Sequence, residues 1–212
     1  MKHQEIKASL RKVTREFFYN KDFLEVETPI VVPCPGTEVH LDYFSTEIIS
    51  QEQELQKAWL RSSPEINLKK VLACGHKKIF ELARCFRNCE EKSPWHHYEF
   101  NMLEWYQEDI SFNDFMEQTY AYIKFSFEKL KHQYKEQITY KLPNAFTKIS
   151  VYEAFLNYAK IELIDGDPEL ASKAKSSGVY SVNPGEDFET AFFKILLEKI
   201  EPQLNKLSAV FM

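Results

Sequence analysis

Two patterns common in nucleotide-binding proteins are missing from this 212-residue sequence. It contains only five glycines, and they form neither a GxGxxG nor a GxxxxGK[ST] pattern. Such patterns cradle phosphates with backbone N–H groups in Rossmann and P-loop proteins. If this chain binds a nucleotide, a charged side chain on a strand must therefore meet the phosphate charge directly.

The sequence also lacks an apolar run of about 18 or more residues, so no transmembrane helix is predicted. Its first residues, MKHQEIKASLRKVTREFF, are charged and contain no apolar core like that of a secretory signal. A net charge of −5 and a pI of about 5.8 argue against a protein whose main task is to hold nucleic acid non-specifically. We expect a cytoplasmic protein without a membrane association.

The four cysteines show no CxxC spacing. Cys85 and Cys89, together with His96 and His97, offer the ligand types of a zinc site. Structural zinc sites usually bring paired ligands at tight spacing, however, and that spacing is missing here. Reduced and mostly buried thiols are the better interpretation, and the sequence gives no certain metal site.

Helical and strand patterns along the chain indicate an α+β architecture, in which helices lie to one side or end of an antiparallel sheet. Apolar residues at helical spacing predict an amphipathic helix over about residues 2–20. Alternation predicts a strand at 23–28 and a short one at 59–62. Two further strands, 79–87 and 99–106, flank a polar loop and are most simply an antiparallel pair.

Helix boundaries can be predicted from capping residues. Ser63, Pro64 and Glu65 have the order expected at a helix start, with Ser63 as the N-cap and the proline in the first turn. Gly75 is expected to end that helix. Ser111 and Ser150 each precede an acidic residue by three positions, which is typical of a capping box or a related N-cap.

The second half is predicted to be helical from about residue 111 to 205. An apolar, strand-like run then begins at 208–212 and is cut off. Because a domain rarely ends inside a strand, we expect the chain to be incomplete at its C-terminus.

The strand at 99–106 has an unusual composition on one face. Period-two alternation places Phe100, Met102, Glu104 and Tyr106 on the same side. A glutamate is almost never fully buried without a partner, so a half-buried pocket floor explains this face better than a dry core does. Arg87, at the end of the preceding strand, could equally form an ordinary cross-strand pair with a glutamate, worth only about 0.2–1 kcal/mol.

Several segments resemble a known family. Residues 23–29, FLEVETP, resemble motif 1 of the class II aminoacyl-tRNA synthetases, and FRNCE at 86–90 with EFNMLEWY at 99–106 resembles motif 2 in its lysine-specific form. RSSPE at 61–65 is similar to the stretch that precedes motif 2 in lysyl-tRNA synthetases. The chain is most similar to the elongation factor P–lysine ligases, paralogues of class II lysyl-tRNA synthetases that attach lysine, preferably β-lysine, to elongation factor P.

The resemblance is strong over about residues 5–106 and weak from there to 212. It implies a single class II synthetase-like catalytic domain over 1–212, with an antiparallel sheet flanked by helices. Motif 1 lies at about 5–29, motif 2 at about 79–106 and a helical insertion at about 111–205. Motif 3, a glycine-rich strand that leads to an arginine-bearing helix, is missing from the sequence, in keeping with a C-terminally incomplete domain.

The resemblance also implies which side chains bind ATP, the expected cofactor together with Mg²⁺. Arg87 is the implied catalytic residue, because it holds the α-phosphate and stabilises the charge that develops there. Phe100 is implied to stack on adenine. The other implied ATP-binding residues are Asn88, Cys89, Glu90, His96 and His97.

The amino-acid side of the site is implied by the same resemblance. Ser63, Pro64, Glu65 and Tyr106 frame lysine or β-lysine, and Glu104 is a further carboxylate near its amine or a magnesium ion. Two carboxylates suit a substrate with two ammonium groups. Elongation factor P is the implied protein substrate, and a homodimer through the motif 1 helix is expected. A role for tRNA is not expected, because only about twenty residues precede the FLEVETP segment of motif 1, too few for an N-terminal anticodon-binding domain.

Three positions depart from the family pattern. Glu90 stands three residues after Arg87, whereas the family has its carboxylate two residues after the arginine, where Cys89 stands here. His97 replaces an asparagine that contacts ATP in the family. Two alternatives therefore stay open, a lysyl-tRNA synthetase catalytic core and a truncated, non-catalytic paralogue that binds a partner or a small molecule.

Overall fold

The computed structural model describes residues 2–88, 96–207 and 209–212. The chain divides into two compact units, Met1–Ile138 and Thr139–Met212. This boundary falls inside the predicted helical insertion, whose first helix belongs to the first unit. The single catalytic domain predicted over residues 1–212 stays a prediction, since one domain can contain two compact units.

The first unit contains the elements that carry both predicted motifs. They are, in chain order, α1 (Lys2–Tyr19), β1 (Leu24–Glu25), β2 (Val31–Val32), β3 (Ser45–Ile49), β4 (Leu55–Leu60), α2 (Glu65–Ala73), β5 (Lys78–Phe86), β6 (Glu99–Gln107) and α3 (Phe112–Gln133).

The central sheet has the order β1-β5-β6. β5 and β6 are antiparallel, with Cys85 opposite Phe100 and Glu81 opposite Glu104, which confirms the predicted strand pair. β1 is parallel to β5 and spans only two residues, so the strand predicted at 23–28 is mostly wrong. The chain leaves the ladder there because the carbonyl and hydroxyl of Thr28 bond to the Arg61 side chain instead.

A second sheet has the antiparallel order β2-β4-β3. β4 ends at Leu60, so the strand predicted at 59–62 is shifted toward the N-terminus. After the strand, Arg61 forms main-chain hydrogen bonds to two other segments. Its N–H donates to Ile30 O at 3.0 Å, and its carbonyl accepts from the Phe86 N–H at 2.9 Å.

Aromatic side chains form the core between α1 and the central sheet. Phe18 is fully buried and stacks on Phe80, with ring centroids 4.7 Å apart. Trp105, on β6, lies 5.4 Å from the Phe18 ring and 5.5 Å from Phe115 on α3. Odd-numbered β6 residues such as Trp105 therefore pack toward the helices, and the even-numbered residues face away from this core, as period-two alternation predicts.

Helix α2 begins one residue later than predicted. Its N-cap is Pro64, which supplies no side-chain cap, although the hydroxyl of Ser63 still accepts from the Glu65 N–H at 3.0 Å. The Ser63 hydroxyl also donates to Glu104, and this tertiary contact explains why it does not act as a simple N-cap. Gly75 follows the helix at φ = 97° and donates to Leu72 O at 2.8 Å, which confirms the predicted end.

The second unit is mostly helical, as predicted. It contains β7 (Thr147–Lys148), α4 (Val151–Ala154), α5 (Leu170–Ser176), α6 (Phe188–Ile195), α7 (Glu201–Leu204) and β8 (Val210–Phe211), with π-helical turns at Phe155–Ala159 and Leu196–Ile200. The capping box of Ser150 and Glu153 is confirmed, and in the first unit Ser111 caps α3 by accepting from the Asp114 N–H. In the described part of the chain, every helix is too short or too polar to cross a membrane.

Glu198 holds a turn of the second unit through two backbone donors. Its carboxylate accepts from the N–H groups of Tyr180 at 2.9 Å and Ser181 at 2.8 Å. These bonds lower the pKa of Glu198 to about 2. A carboxylate with a depressed pKa stabilises the fold above its unfolded pKa, and the contribution is lost as the pH falls from about 5 toward 2.

We therefore expect Glu198→Gln to lower the free energy of unfolding of the full chain by about 1–2 kcal/mol at pH 7, because charge-assisted hydrogen bonds become neutral ones. The difference from the wild type should shrink between pH 5 and pH 3. Urea unfolding at each pH measures it, and Glu169→Gln at an exposed position serves as the control. A difference that stays constant with pH would contradict the role given to the charge.

Candidate functional site

A hydrogen-bonded carboxylate lies at the centre of the even-numbered face of β6. Glu104 accepts from the Ser63 hydroxyl at 2.5 Å through one oxygen and from the Tyr106 phenol at 3.1 Å through the other. Ser63 comes from the turn before α2, so this contact joins the start of that helix to the sheet. The carboxylate is half-buried and held in one orientation by two neutral donors, a suitable arrangement for a cationic ligand group.

Burial keeps the neighbouring ionisable groups protonated. Burial, followed by the negative charge of Glu104, raises the pKa of Tyr106 well above its ordinary value. Burial also raises the pKa of Cys85 to about 11. Tyr106 therefore stays a phenol that donates to Glu104, and Cys85 stays an unreactive thiol. The three described cysteines are free, as predicted, but the expectation of mostly buried thiols holds only for Cys85, because Cys34 and Cys74 are exposed.

Pro64 and Glu65 follow Ser63 at the start of α2. Pro64 is fully buried at the start of α2. Glu65 lies close enough to contribute to the raised pKa of Tyr106. Its carboxylate pairs with Lys69 at 2.5 Å on the exposed side of the helix. The structure thus brings together all five residues predicted to frame the lysine-like substrate, namely Ser63, Pro64, Glu65, Glu104 and Tyr106.

Arg87 lies directly after β5 and covers Phe100. Its guanidinium carbon is 5.2 Å from the centre of the Phe100 ring, and its backbone N–H donates to Tyr98 O at 3.0 Å. The Nε of Arg87 is buried and has no hydrogen-bond partner among the described residues. A buried donor without a partner costs about 1–3 kcal/mol, which is tolerated most readily where a ligand completes the bond.

Of the other predicted ATP-binding residues, the structure describes Asn88, His96 and His97. The Asn88 N–H donates to Asp42 O at 2.9 Å, which ties the loop before β3 to the end of β5. His96 and His97 are exposed. His97 lines a cavity of about 410 Å³ that Phe100 also borders and whose other walls include Arg11 of α1. Cys89 and Glu90 lie outside the described residues.

The described residues contain no preformed metal-binding cluster. Among residues 2–88, 96–207 and 209–212, no group of three or more histidine, cysteine, aspartate or glutamate side chains is placed to hold one. Glu104 accepts one hydrogen bond at each carboxylate oxygen, which leaves each oxygen a further acceptor site for a cation.

Sequence reasoning missed a buried ionic network beside the site. Arg61 pairs with Glu81 at 2.8 Å, and both side chains are at most 5% exposed. The Thr28 hydroxyl accepts from Arg61 at 2.6 Å and donates to Glu81 at 2.7 Å. The signal in the sequence is an arginine directly after the apolar pair Trp59-Leu60 and a glutamate inside the apolar strand β5. Neither is expected in a core without a partner.

The family model for tRNA synthetases class II (D, K and N) matches residues 2–206, nearly the whole chain. The chain belongs to this family. The resemblance read from motifs 1 and 2 is thereby confirmed at the level of the class II synthetase family.

Curated relatives carry a narrower name. The chain is 31% identical over 208 residues to the elongation factor P–(R)-β-lysine ligase of Vibrio cholerae serotype O1, a match that covers 97% of this chain and 60% of the relative. It is 32% identical over 200 residues to the enzyme of the same name from Buchnera aphidicola subsp. Acyrthosiphon pisum, with 93% and 57% covered. The chain therefore spans somewhat more than half the length of these curated relatives.

A solved structure supports the fold. The chain is similar to asparaginyl-tRNA synthetase from Pyrococcus horikoshii, crystallised with asparaginyl-adenylate, with a TM-score of 0.61 and 20% sequence identity. The match covers 82% of this chain and 41% of that protein. The predicted α+β, class II synthetase-like fold is confirmed.

Proposed function

We propose that this chain carries the substrate pocket of an ATP-dependent ligase. The enzyme activates lysine or β-lysine as an aminoacyl-adenylate and transfers it to a lysine side chain of elongation factor P. Two observations carry the proposal. The buried Nε of Arg87, above Phe100, has no hydrogen-bond partner in the described part of the chain. On the same strand pair, Ser63 and Tyr106 hold the Glu104 carboxylate. The names of the curated relatives support the choice of amino acid and protein substrate.

Arg87 serves the nucleotide in this proposal. The amino-acid carboxylate attacks the α-phosphorus of ATP, a new O–P bond forms, and pyrophosphate leaves with the electron pair of the broken bond. Arg87 neutralises the negative charge that grows on the α-phosphate oxygens, and its fixed guanidinium needs no reorganisation to do so. Phe100 offers its ring for adenine to stack on, a contact worth about 1–3 kcal/mol.

Glu104 and Glu65 serve the amino acid. Lysine and β-lysine each carry two ammonium groups, and two carboxylates, one at the start of α2 and one on β6, match that charge. In the second half-reaction, the ε-amine of the acceptor lysine attacks the activated carbonyl carbon. An amide bond forms, the acceptor nitrogen loses a proton, and AMP leaves.

A second candidate function is ligand binding without turnover. His97 favours it, because this residue stands where the resembled family has an ATP-contacting asparagine and its side chain is exposed. A homodimer through α1 also stays a prediction.

Pyrophosphate exchange and calorimetry together test both candidates. We expect ATP–pyrophosphate exchange that depends on lysine or (R)-β-lysine and is at least about tenfold slower with arginine, since the pocket selects by fit to its charged groups. Isothermal titration with ATP and with each lysine isomer measures binding separately. Binding without exchange supports the second candidate, and neither binding nor exchange with any lysine isomer overturns the proposed function.

A further inference from the structure

The two sides of the candidate site come from different parts of the chain. We call Arg87 and Phe100 the nucleotide wall, and Ser63, Pro64 and Glu65 the amino-acid wall. We propose that buried Arg61 is a positioning residue that holds these two walls together. The inference rests on the proposed function, because it assigns a task to a residue that touches neither substrate.

The Arg61 guanidinium makes contacts on three sides. Its Nε donates to Arg84 O at 2.9 Å, and its Nη1 donates to Thr28 O at 2.8 Å and to the Thr28 hydroxyl at 2.6 Å. Its Nη2 pairs with Glu81 at 2.8 Å. A planar guanidinium can reach three partners at fixed angles, which a lysine ammonium cannot reproduce. The contacts therefore fix the relative positions of the chain after β1, the middle of β5 and the end of β5.

Only one or two residues of chain separate Arg61 and its hydrogen-bond partner Phe86 from the two walls. The backbone carbonyl of Arg61 accepts from the Phe86 N–H at 2.9 Å, one residue before Arg87. Arg61 itself stands two residues before Ser63. The Arg61 side chain bonds to the carbonyl of Arg84, and the Arg61 carbonyl accepts from the N–H of Phe86, so Arg61 holds β5 on both sides of Cys85. A change at Arg61 therefore shifts the start of the nucleotide wall. The same change shifts the turn that leads into the amino-acid wall.

Arg61 also neutralises one of two carboxylates on the same face of the sheet. Glu81 is directly opposite Glu104 in the antiparallel pair of β5 and β6, so their side chains emerge on the same face of the sheet. Like charges in directly opposite positions destabilise a strand pair. Arg61 neutralises Glu81, so Glu104 is left as the carboxylate of this pair that is available to a cationic substrate.

A purely structural role would make Arg61 matter for stability alone. The test therefore uses Thr28→Val, which removes the hydroxyl between Arg61 and Glu81 but keeps both charges, alongside Arg61→Lys. The control is Arg84→Gln. It removes the side chain of an exposed arginine on β5 that pairs with Glu99. Circular dichroism of the full chain first establishes that each variant is folded, and Thr28→Val carries the test if Arg61→Lys does not fold.

We expect Arg61→Lys to raise the Kd values for ATP and for lysine together by about 10–100-fold, because small misplacements of binding groups have effects of that size. Thr28→Val should raise both by about three- to tenfold, and Arg84→Gln should leave both within about twofold. A folded Thr28→Val or Arg61→Lys with unchanged Kd values, or with only one of the two raised, overturns the proposal.

Hydrogen–deuterium exchange gives a readout that needs no ligand. We expect Thr28→Val to lose protection in peptides that cover residues 61–65 and 84–88 more than in the second unit. If the wild type binds neither ATP nor lysine, the proposed function fails. The exchange pattern still decides the positioning role, and unchanged protection in both segments overturns it.

Discussion

Replacing Arg87 with alanine should lower the rate of lysine-dependent ATP–pyrophosphate exchange by about 10²–10³-fold, the usual loss for one preorganised donor at a charge that develops in the transition state. The structure gives the reason in two parts. The guanidinium is held above Phe100, and its buried Nε has no partner among the described residues. The guanidinium is therefore held in place, and its Nε is a donor that no described residue satisfies.

The effect should fall on the rate more than on binding. Arg87→Ala is expected to raise the Kd for ATP by about tenfold or less, because the adenine stacks on Phe100 in both proteins. Arg87→Lys keeps the positive charge but lacks the planar guanidinium. Its exchange rate should lie between those of the alanine variant and the wild type. Arg84→Ala is the matched control, since Arg84 lies on β5 three residues before Arg87 and pairs with Glu99 while more than 40% exposed. If Arg87→Ala exchanges pyrophosphate as fast as Arg84→Ala, Arg87 is not the catalytic residue.

The central strand pair and the residues that it carries could be predicted because their signals are local. Alternation along β6 places Glu104 and Tyr106 on one face and Trp105 on the other, and the structure agrees. The end of α2 depends on Gly75, whose effect acts within a few residues, and the start was predicted to within one residue of Pro64. Period and capping are short-range properties, so one sequence is enough to read them.

The buried network could not be predicted in the same way. Thr28, Arg61 and Glu81 are separated by tens of residues, and their spacing follows no helical or strand period. The hairpin of β3 and β4 was also missed. Its turn contains Gln53 at φ = 64°, a conformation for which glycine or asparagine is the usual signal. Ser63 shows the opposite failure, because a correct capping signal is overridden by a tertiary bond to Glu104.

Glu104→Gln should raise the Kd for lysine and for β-lysine by about 30-fold or more and leave the Kd for ATP within about threefold. Removing one partner of a desolvated, hydrogen-bonded charge pair typically costs about 2–5 kcal/mol, because the other charge is left unpaired. Glutamine keeps the volume and one oxygen acceptor, so the contacts of Ser63 and Tyr106 are only partly disturbed. The expected loss is therefore one of charge, and isothermal titration of both ligands at pH 7 measures it.

Glu99→Gln provides the control for this prediction. Glu99 is on the same strand, but it is 52% exposed and pairs with Arg84, so the same substitution should change lysine binding by less than about twofold.

Norleucine, which lacks the ε-ammonium of lysine, extends the test. If Glu104 faces that ammonium, the wild type should bind lysine much more tightly than norleucine. Glu104→Gln should bind the two ligands about equally, because the variant has no negative charge to pair with the ε-ammonium. If the variant discriminates as well as the wild type but still binds both ligands poorly, Glu104 faces the other ammonium group. An unchanged lysine Kd in a folded Glu104→Gln protein would remove Glu104 from the binding site.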